Sequence, residues 1–143
     1  MNILQKVILG LLIVSSTIAC KREENTPTAP AMDKIDPTAV QVSRGNFSGQ
    51  SGEVVSGAAS IRVKGSKYML ILEEDFRTNN GPNLHVYLSK AASPQDFIDF
   101  GLLKSVSGTQ VYDITGTPDF KQYKYALIYC QQYSKLFGNV LLQ

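Results

Sequence analysis

Short stretches of alternating apolar and polar residues recur along the chain from about residue 55 onward. Residues 59–64 (ASIRVK) and 84–89 (LHVYLS) alternate in this way. Successive side chains of a strand point to opposite faces of a sheet, so each stretch predicts a half-buried strand. Residues 68–72 (YMLIL) form a short unbroken apolar run between a glycine and an acidic cluster. Such a short run predicts a buried strand rather than a helix.

Turn-forming residues separate these stretches. Residues 78–83 (TNNGPN) combine asparagine, glycine and proline and predict a turn. Further strands are predicted within residues 109–115, 123–130 and 139–143. One short helical turn is expected from Ser93, a potential N-cap, through Pro94 at the first helical position to Gly101 at the end. The pattern predicts an all-β fold, an antiparallel β-sandwich or small barrel with at most one short helical turn.

The first 19 residues have the layout of a secretory signal peptide. Lys6 precedes an apolar run from Val7 to Val14, and small residues follow up to Ala19. A membrane-spanning helix is the alternative, but it needs about 20 apolar residues and this run is shorter.

The next residue, Cys20, completes the sequence TIAC, which resembles the cleavage site of bacterial lipoproteins. In that class the cysteine sulfur receives a diacylglycerol, a reaction that uses the nucleophilic thiolate. The resemblance implies that Cys20 is the lipid attachment site and that the membrane is a partner through this anchor. The following residues, CKREEN, resemble signals that direct lipoproteins to the outer membrane and its outer surface. We therefore expect a cell-envelope location, with surface exposure as an open alternative.

Residues 20–44 are predicted to form a lipidated, flexible tether, followed by a β domain over residues 45–143. The tether segment is rich in proline, threonine and mixed charge and has few apolar residues. An edge strand at TAVQVSR, residues 38–44, is compatible with the end of this tether.

Net charge and motifs exclude several classes of function. The formal net charge is +2 and the chain has no basic stripe, so nucleic-acid binding is not expected. No nucleophile elbow or phosphate-binding glycine loop is present. The sequence therefore offers no catalytic constellation for an enzyme.

The second cysteine, Cys130, ends an apolar strand and would be the only thiol once Cys20 is lipidated. A leftover cysteine in an exported protein indicates a reactive thiol or a disulfide between two chains. The competing interpretation is a small core residue, because free cysteine is among the most buried residue types.

Four blocks of the chain resemble the DM-thirteen domain family, which is described as an electron-transfer domain associated with DOMON domains. They are GNFSGQSGEVVSGAASIRV, LEEDFRTNNGPNLHVYLS, DFIDFGLLKSVSGTQVYDI and YKYALIYCQQYSKLFGNVLL. The resemblance implies an electron-transfer role with a redox partner protein. It places the cysteine of the family at Cys130, as a redox thiol or as a ligand to a prosthetic group such as haem. Tyr129 stands where the family often has tryptophan.

A metal or haem site finds few ligands in this sequence. The only histidine is His85, and a His–Cys pair falls short of the three or four ligands of a zinc or blue-copper site. Haem held by Cys130 alone, or with His85 or Met69 opposite, is chemically conceivable. Two functions are therefore considered: an electron-transfer module acting through Cys130, which the resemblance implies, and a ligand- or partner-binding module in which Cys130 is merely packed.

Overall fold

Twelve strands make up the regular structure of residues 25–143, which are the residues described by a computed structural model of the chain. This region contains no helix, and hence none that could cross a membrane. The strands are β1 (Ala31–Met32), β2 (Val40–Asn46), β3 (Ser48–Gly49), β4 (Val55–Ser56), β5 (Ala58–Lys64), β6 (Lys67–Leu72), β7 (Arg77–Thr78), β8 (Leu84–Ser89), β9 (Phe97–Leu102), β10 (Gly108–Ile114), β11 (Tyr125–Cys130) and β12 (Lys135–Leu141).

Two five-stranded sheets form a β-sandwich. The first sheet has the order β1-β10-β6-β5-β2, and the second has the order β3-β12-β11-β8-β9. Strands β4 and β7 form a separate two-stranded ribbon. All pairings between these strands are antiparallel except that of β1 with β10. The predicted all-β, antiparallel sandwich is confirmed.

The core lies between the two sheets and is built from their inward-facing apolar residues. In the first sheet Ile61 pairs with Leu70, and both are buried. In the second sheet Val86 pairs with Ile128, and both are fully buried. Burying one such side chain stabilises the fold by roughly 1.5–3 kcal/mol. The alternation seen in the sequence therefore marks the faces that meet in the core.

The helical turn predicted from Ser93 to Gly101 is not formed. Residues 93–96 are a bent loop, and the chain then continues as strand β9. The loop wraps around the buried hydroxyl of Ser89, whose Oγ lies 2.9 Å from the Ser93 carbonyl oxygen and 3.0 Å from that of Gln95. Asp96 has a φ of 47°, outside the right-handed helical region. Hydrogen bonding to Ser89 and pairing of β9 with β8 thus replace the local helical bonds.

Residues 25–44 also differ from the prediction, which assigned them to a flexible tether. We call residues 25–33 the N-terminal strap, because they run along the domain and bond to it repeatedly. Ala31 N donates to the Ser107 carbonyl at 2.8 Å, and Asp33 N donates to the Thr109 carbonyl at 3.1 Å. Strand β2 then forms an edge of the first sheet and contains most of the edge strand considered for residues 38–44. The signal peptide over residues 1–19, Cys20 and the rest of the tether, residues 21–24, lie outside the described residues.

Candidate functional site

Cys130 is the last residue of β11, and its side chain points into the core. It is 0% exposed and pairs with Leu84 on one side and Lys135 on the other. The register between β11 and β12 shifts just before it, between Ile128 and Tyr129. The thiol donates to the carbonyl oxygen of Pro82, with Sγ 3.1 Å from that oxygen. A thiolate has no proton to donate, so this contact belongs to the thiol form.

The carbonyl that receives this bond belongs to a loop of residues 80–83, which we call the cap loop. The N-terminal strap holds it from one side, because the backbone N and Oγ1 of Thr26 both donate to the Gly81 carbonyl, at 3.3 and 3.2 Å. The Asn80 Nδ2 donates back to the Thr26 carbonyl at 3.1 Å. On the other side Gln131 N donates to the Asn83 carbonyl at 3.2 Å. The cap loop is therefore fixed between the strap and the turn that follows β11.

Packing leaves no free space above the cap loop at Gly81. A Cβ added there would lie 2.9 Å from Cζ of Phe137, closer than carbon atoms normally approach. The loop can lie this close to the core because the residue has no side chain. Access to Cys130 from this side requires the loop to move.

The charged residue that pairs with Cys130 across the sheet is itself engaged in an ion pair. Lys135, its neighbour on β12, forms an ion pair with the carboxylate of Glu53. The hydrogen bond from Lys135, helped by one from Asn79, holds the pKa of Glu53 below its usual value. The Lys135 ammonium is thus engaged elsewhere and is not directed at the sulfur. In this conformation the Cys130 side chain contacts the Pro82 carbonyl and is otherwise part of the apolar core.

His85 lies on the opposite face of the second sheet from Cys130. Its backbone pairs with Tyr129, and side chains of adjacent residues alternate between faces. The His85 Nδ1 lies 2.9 Å from Asp99 Oδ1, and Nε2 lies 3.2 Å from Asn83 Oδ1. Asn83 comes only two residues before His85, whereas Asp99 lies on the neighbouring strand β9, so no sequence pattern indicated the contact between Asp99 and His85.

An aromatic layer continues this outer face. Tyr87 stacks on Phe97 with ring centroids 4.2 Å apart, and Tyr129 lies 5.5 Å away. Burial raises the pKa of the Tyr87 hydroxyl, against the opposing effect of the hydrogen bond that its oxygen accepts from Gln131 at 2.8 Å. These aromatic side chains cover the outer face of the sheet, whereas the Cys130 sulfur lies on its inner face.

The residues around the sulfur do not fit a haem. His85 is on the other face of the sheet, and Met69 lies on β6 in the first sheet, on the face opposite the core residue Leu70. Neither candidate is placed to oppose Cys130 across an iron. Within residues 25–143 no group of three or more His, Cys, Asp or Glu side chains is arranged to hold a metal. The two candidate ligands are therefore not brought together with the cysteine.

A cleft of about 350 Å³ lies beside the cap loop. Its walls are residues 25–27 of the strap, Asn83 of the cap loop and residues 102–104 after β9. Asn83 thus has one side on the cleft, while the preceding residue, Pro82, accepts the hydrogen bond from Cys130. Sequence reasoning missed this cleft, because the strap was expected to extend away from the domain.

A comparison with family models places this structure among known domains. The model described as "Electron transfer DM13" matches residues 46–142, more than half of the chain. The chain belongs to the DM13 family. This confirms the resemblance to the DM-thirteen domain found in the sequence. Comparisons with curated proteins and with solved structures gave no match.

The DM13 match begins at Asn46, the last residue of β2, and ends at Leu142. It includes Cys130, the cap loop and residues 102–104. The N-terminal strap precedes the matched region. One wall of the cleft is therefore supplied by residues that lie outside the DM13 match.

Proposed function

We propose that the chain is a lipoprotein of the cell envelope, anchored through Cys20, whose DM13 domain transfers electrons through the thiol of Cys130. The family match supports the electron-transfer class. The TIAC sequence supports the anchor, and the paired charge signature of CKREEN supports the outer membrane, with the outer surface as its open alternative. The observation that carries the thiol role is the position of Cys130, whose only described cover on one side is a loop held by hydrogen bonds.

The length of chain between the anchor and the strap would hold the domain close to the membrane. From Cys20 to Asn25 there are five residue steps, which span at most about 18 Å when fully extended. The strap, the cap loop and the Cys130 end of β11 would then lie on the membrane-facing side. A Cys20→Ser variant should move from the membrane fraction to the soluble fraction. Retention of that variant in the membrane would contradict the lipid anchor.

The electron-transfer step we propose is thiol–disulfide exchange with a disulfide of a partner protein. Movement of the cap loop breaks the bond from the Cys130 thiol to the Pro82 carbonyl and exposes the sulfur. The thiol loses its proton to water, and the thiolate attacks one sulfur of the partner disulfide. A bond forms between Cys130 and that sulfur, and the second partner sulfur leaves as a thiolate that takes up a proton. Cys130 is oxidised to a mixed disulfide and the leaving partner sulfur is reduced.

A second candidate is a module that binds a ligand or partner without redox chemistry. Two observations favour it: Cys130 is completely buried, and large apolar side chains are exposed nearby. Leu102 and Tyr133 are 61% and 67% exposed. On this alternative the cysteine fills space in the core and the exposed residues contact a partner.

Trapping of thiols in intact cells separates the two candidates. Cells producing the full chain are treated with a thiol oxidant or a reductant, and free thiols are then labelled with a maleimide of known mass. Electron transfer through Cys130 predicts that the labelled fraction falls after oxidation and recovers after reduction, with a Cys130→Ser variant unlabelled throughout. A thiol fraction that stays constant would support the binding module instead.

Two simple measurements on the purified full chain accompany this experiment. Non-reducing gels test the alternative of a covalent dimer through Cys130, which predicts a double-mass band that reductant removes. The visible spectrum tests for a prosthetic group. A Soret band would contradict the thiol mechanism, because it would indicate haem, whereas a colourless protein is the expected result.

A further inference from the structure

The cleft formed by the strap, the cap loop and residues 102–104 is large enough to hold a small molecule. Its volume of about 350 Å³ is at the lower end of the range of small-molecule sites. The strap and the DM13 domain each contribute walls, so the cleft exists only when the strap is docked. It lies at the end of the sandwich that carries the thiol.

Apolar side chains dominate its walls. Leu102 and Leu103 lie on one side and Pro27 on the other. Leu103 is buried, whereas Leu102 is 61% exposed at the rim, where it offers apolar surface to an incoming ligand. These walls favour a ligand with a hydrophobic body.

The one charged residue in the lining formed by residues 25–143 is already paired. Lys104 forms an ion pair with Asp33, and its Nζ also donates to the Val111 carbonyl at 2.7 Å. Its bond to Asp33 holds the pKa of that carboxyl below the usual value, so the carboxylate is charged at neutral pH and is paired with Lys104. Among the described lining residues no unpaired charge remains, which favours a neutral ligand.

The hydroxyl of Thr26 donates to the Gly81 carbonyl, and the other uncharged polar side chains of the described lining are amides that can donate hydrogen bonds. Asn83 Oδ1 is engaged by His85 Nε2 at 3.2 Å, while its Nδ2 makes no hydrogen bond with a described residue. Asn25 of the strap, which pairs with Pro82, is exposed and carries a second side-chain amide. Two amide donors at the edge of an apolar cleft suit a ligand that carries carbonyl oxygens.

We propose that this cleft binds a neutral ring with hydrogen-bond-accepting carbonyls, of the quinone class. The apolar walls indicate a hydrophobic ring, and the paired lysine indicates that the ring is neutral. The amide donor of Asn83 indicates that the ring carries carbonyls. The choice of a quinone within that class rests on the proposed electron-transfer function. The ligand would contact the cap loop directly, next to the carbonyl that receives the Cys130 thiol.

Equilibrium dialysis of the full chain in detergent tests this site with 2,3-dimethyl-1,4-naphthoquinone as the probe. Both ring positions next to the carbonyls are methylated, so the probe does not add to thiols there. We expect saturable binding, and at least tenfold weaker binding of 2,3-dimethylnaphthalene, which has the same body without carbonyls. Equal affinity for the two compounds, or no saturable binding, would overturn the proposal.

Variants locate the binding. Asn83 has a φ of 54°, which aspartate also tolerates, and the two side chains have nearly the same shape, so Asn83→Asp should preserve the fold. It replaces the free donor with an acceptor and should weaken quinone binding about tenfold. Leu102→Gln should weaken binding of both probes. The matched control is Leu141→Gln, another exposed leucine, at the far end of β12, which should leave binding unchanged.

The Cys130→Ser variant separates failure of this site from failure of the proposed function. Binding measured by dialysis needs no redox activity, so this variant should bind the quinone with the affinity of the wild type. If Cys130 proves redox-inactive while quinone binding is intact and depends on Asn83, the thiol mechanism is refuted and the binding site is supported. Binding that is insensitive to Asn83→Asp and Leu102→Gln would refute the site, whatever the state of the thiol.

Discussion

The hydrogen bonds between the strap and the cap loop should control how quickly a thiol reagent reaches Cys130. Thr26→Val is the most specific perturbation, because valine keeps the β-branched shape of threonine and lacks its hydroxyl. The variant loses the buried bond from Thr26 Oγ1 to the Gly81 carbonyl, 3.2 Å in the wild type. The backbone bond from Thr26 N to the same oxygen, at 3.3 Å, remains. The Gly81 carbonyl therefore keeps one partner.

The size of the effect follows from the net value of one hydrogen bond. Such a bond contributes about 1 kcal/mol to stability. If the strap and the cap loop separate when Cys130 becomes exposed, the free energy of opening falls by this amount. The equilibrium constant for opening then rises about fivefold at 25 °C. When closing is faster than labelling, the labelling rate rises by the same factor.

Global unfolding would also expose the sulfur, so a matched control is needed. Ile61→Val removes one methyl group from the core of the first sheet, away from the strap, and costs about 1 kcal/mol of global stability. Labelling with an aromatic disulfide reagent is followed in the absence of denaturant. We expect Thr26→Val to react about fivefold faster than the wild type, and Ile61→Val to react at the wild-type rate. Equal acceleration in both variants would refute local opening of the cap loop.

Three further outcomes are expected. Hydrogen bonding from Lys104 lowers the folded-state pKa of Asp33, so its stabilisation is complete above the unfolded pKa of about 3.9 and is lost as the pH falls through the folded value. Between pH 7 and pH 3 the melting temperature should fall less for Asp33→Asn than for the wild type. Superimposed curves of melting temperature against pH would contradict this. In denaturant titrations Gly57→Ala should lower the free energy of unfolding by about 3 kcal/mol or more, because the new Cβ would lie 2.4 Å from a backbone oxygen. Gly52→Ala, which has open space around it, should lower it by about 1 kcal/mol. Similar losses in the two variants would show that the clash is relieved. Cys130→Ser should remain folded with a loss of about 1 kcal/mol, because serine can still donate to the Pro82 carbonyl, and an unfolded variant by circular dichroism would contradict this.

Strands that bury one face were predictable from the sequence, because the period of alternation is a property of the strand itself. For this reason the predicted strand at residues 59–64 lies within β5, and the one at residues 84–89 coincides with β8. The helical turn at residues 93–101 was wrong because local capping signals ignore a distant competitor. Ser89 and the neighbouring strand β8 offered that segment better hydrogen bonds than a helix would.

The strap was missed for a different physical reason. Its composition is typical of a solvated linker, but it is held by backbone and polar bonds rather than by apolar burial. Composition does not report such bonds, because every residue except proline carries the same backbone donor. The cleft and the cover over Cys130 both depend on this strap, so neither could be predicted. The inward direction of Cys130, by contrast, agrees with its shared face with Ala126 and Ile128.

Redox titration of Cys130 in the purified full chain tests the central claim most directly. The protein is equilibrated under native conditions in buffers of stepped thiol-to-disulfide ratio, and the intact mass is measured at each step. Electron transfer through this thiol predicts one added disulfide-linked group, whose occupancy rises with oxidation and reverses with reduction, and none in Cys130→Ser. A wild-type protein that stays unmodified across the series, and gains the adduct only after unfolding in denaturant, would contradict the account.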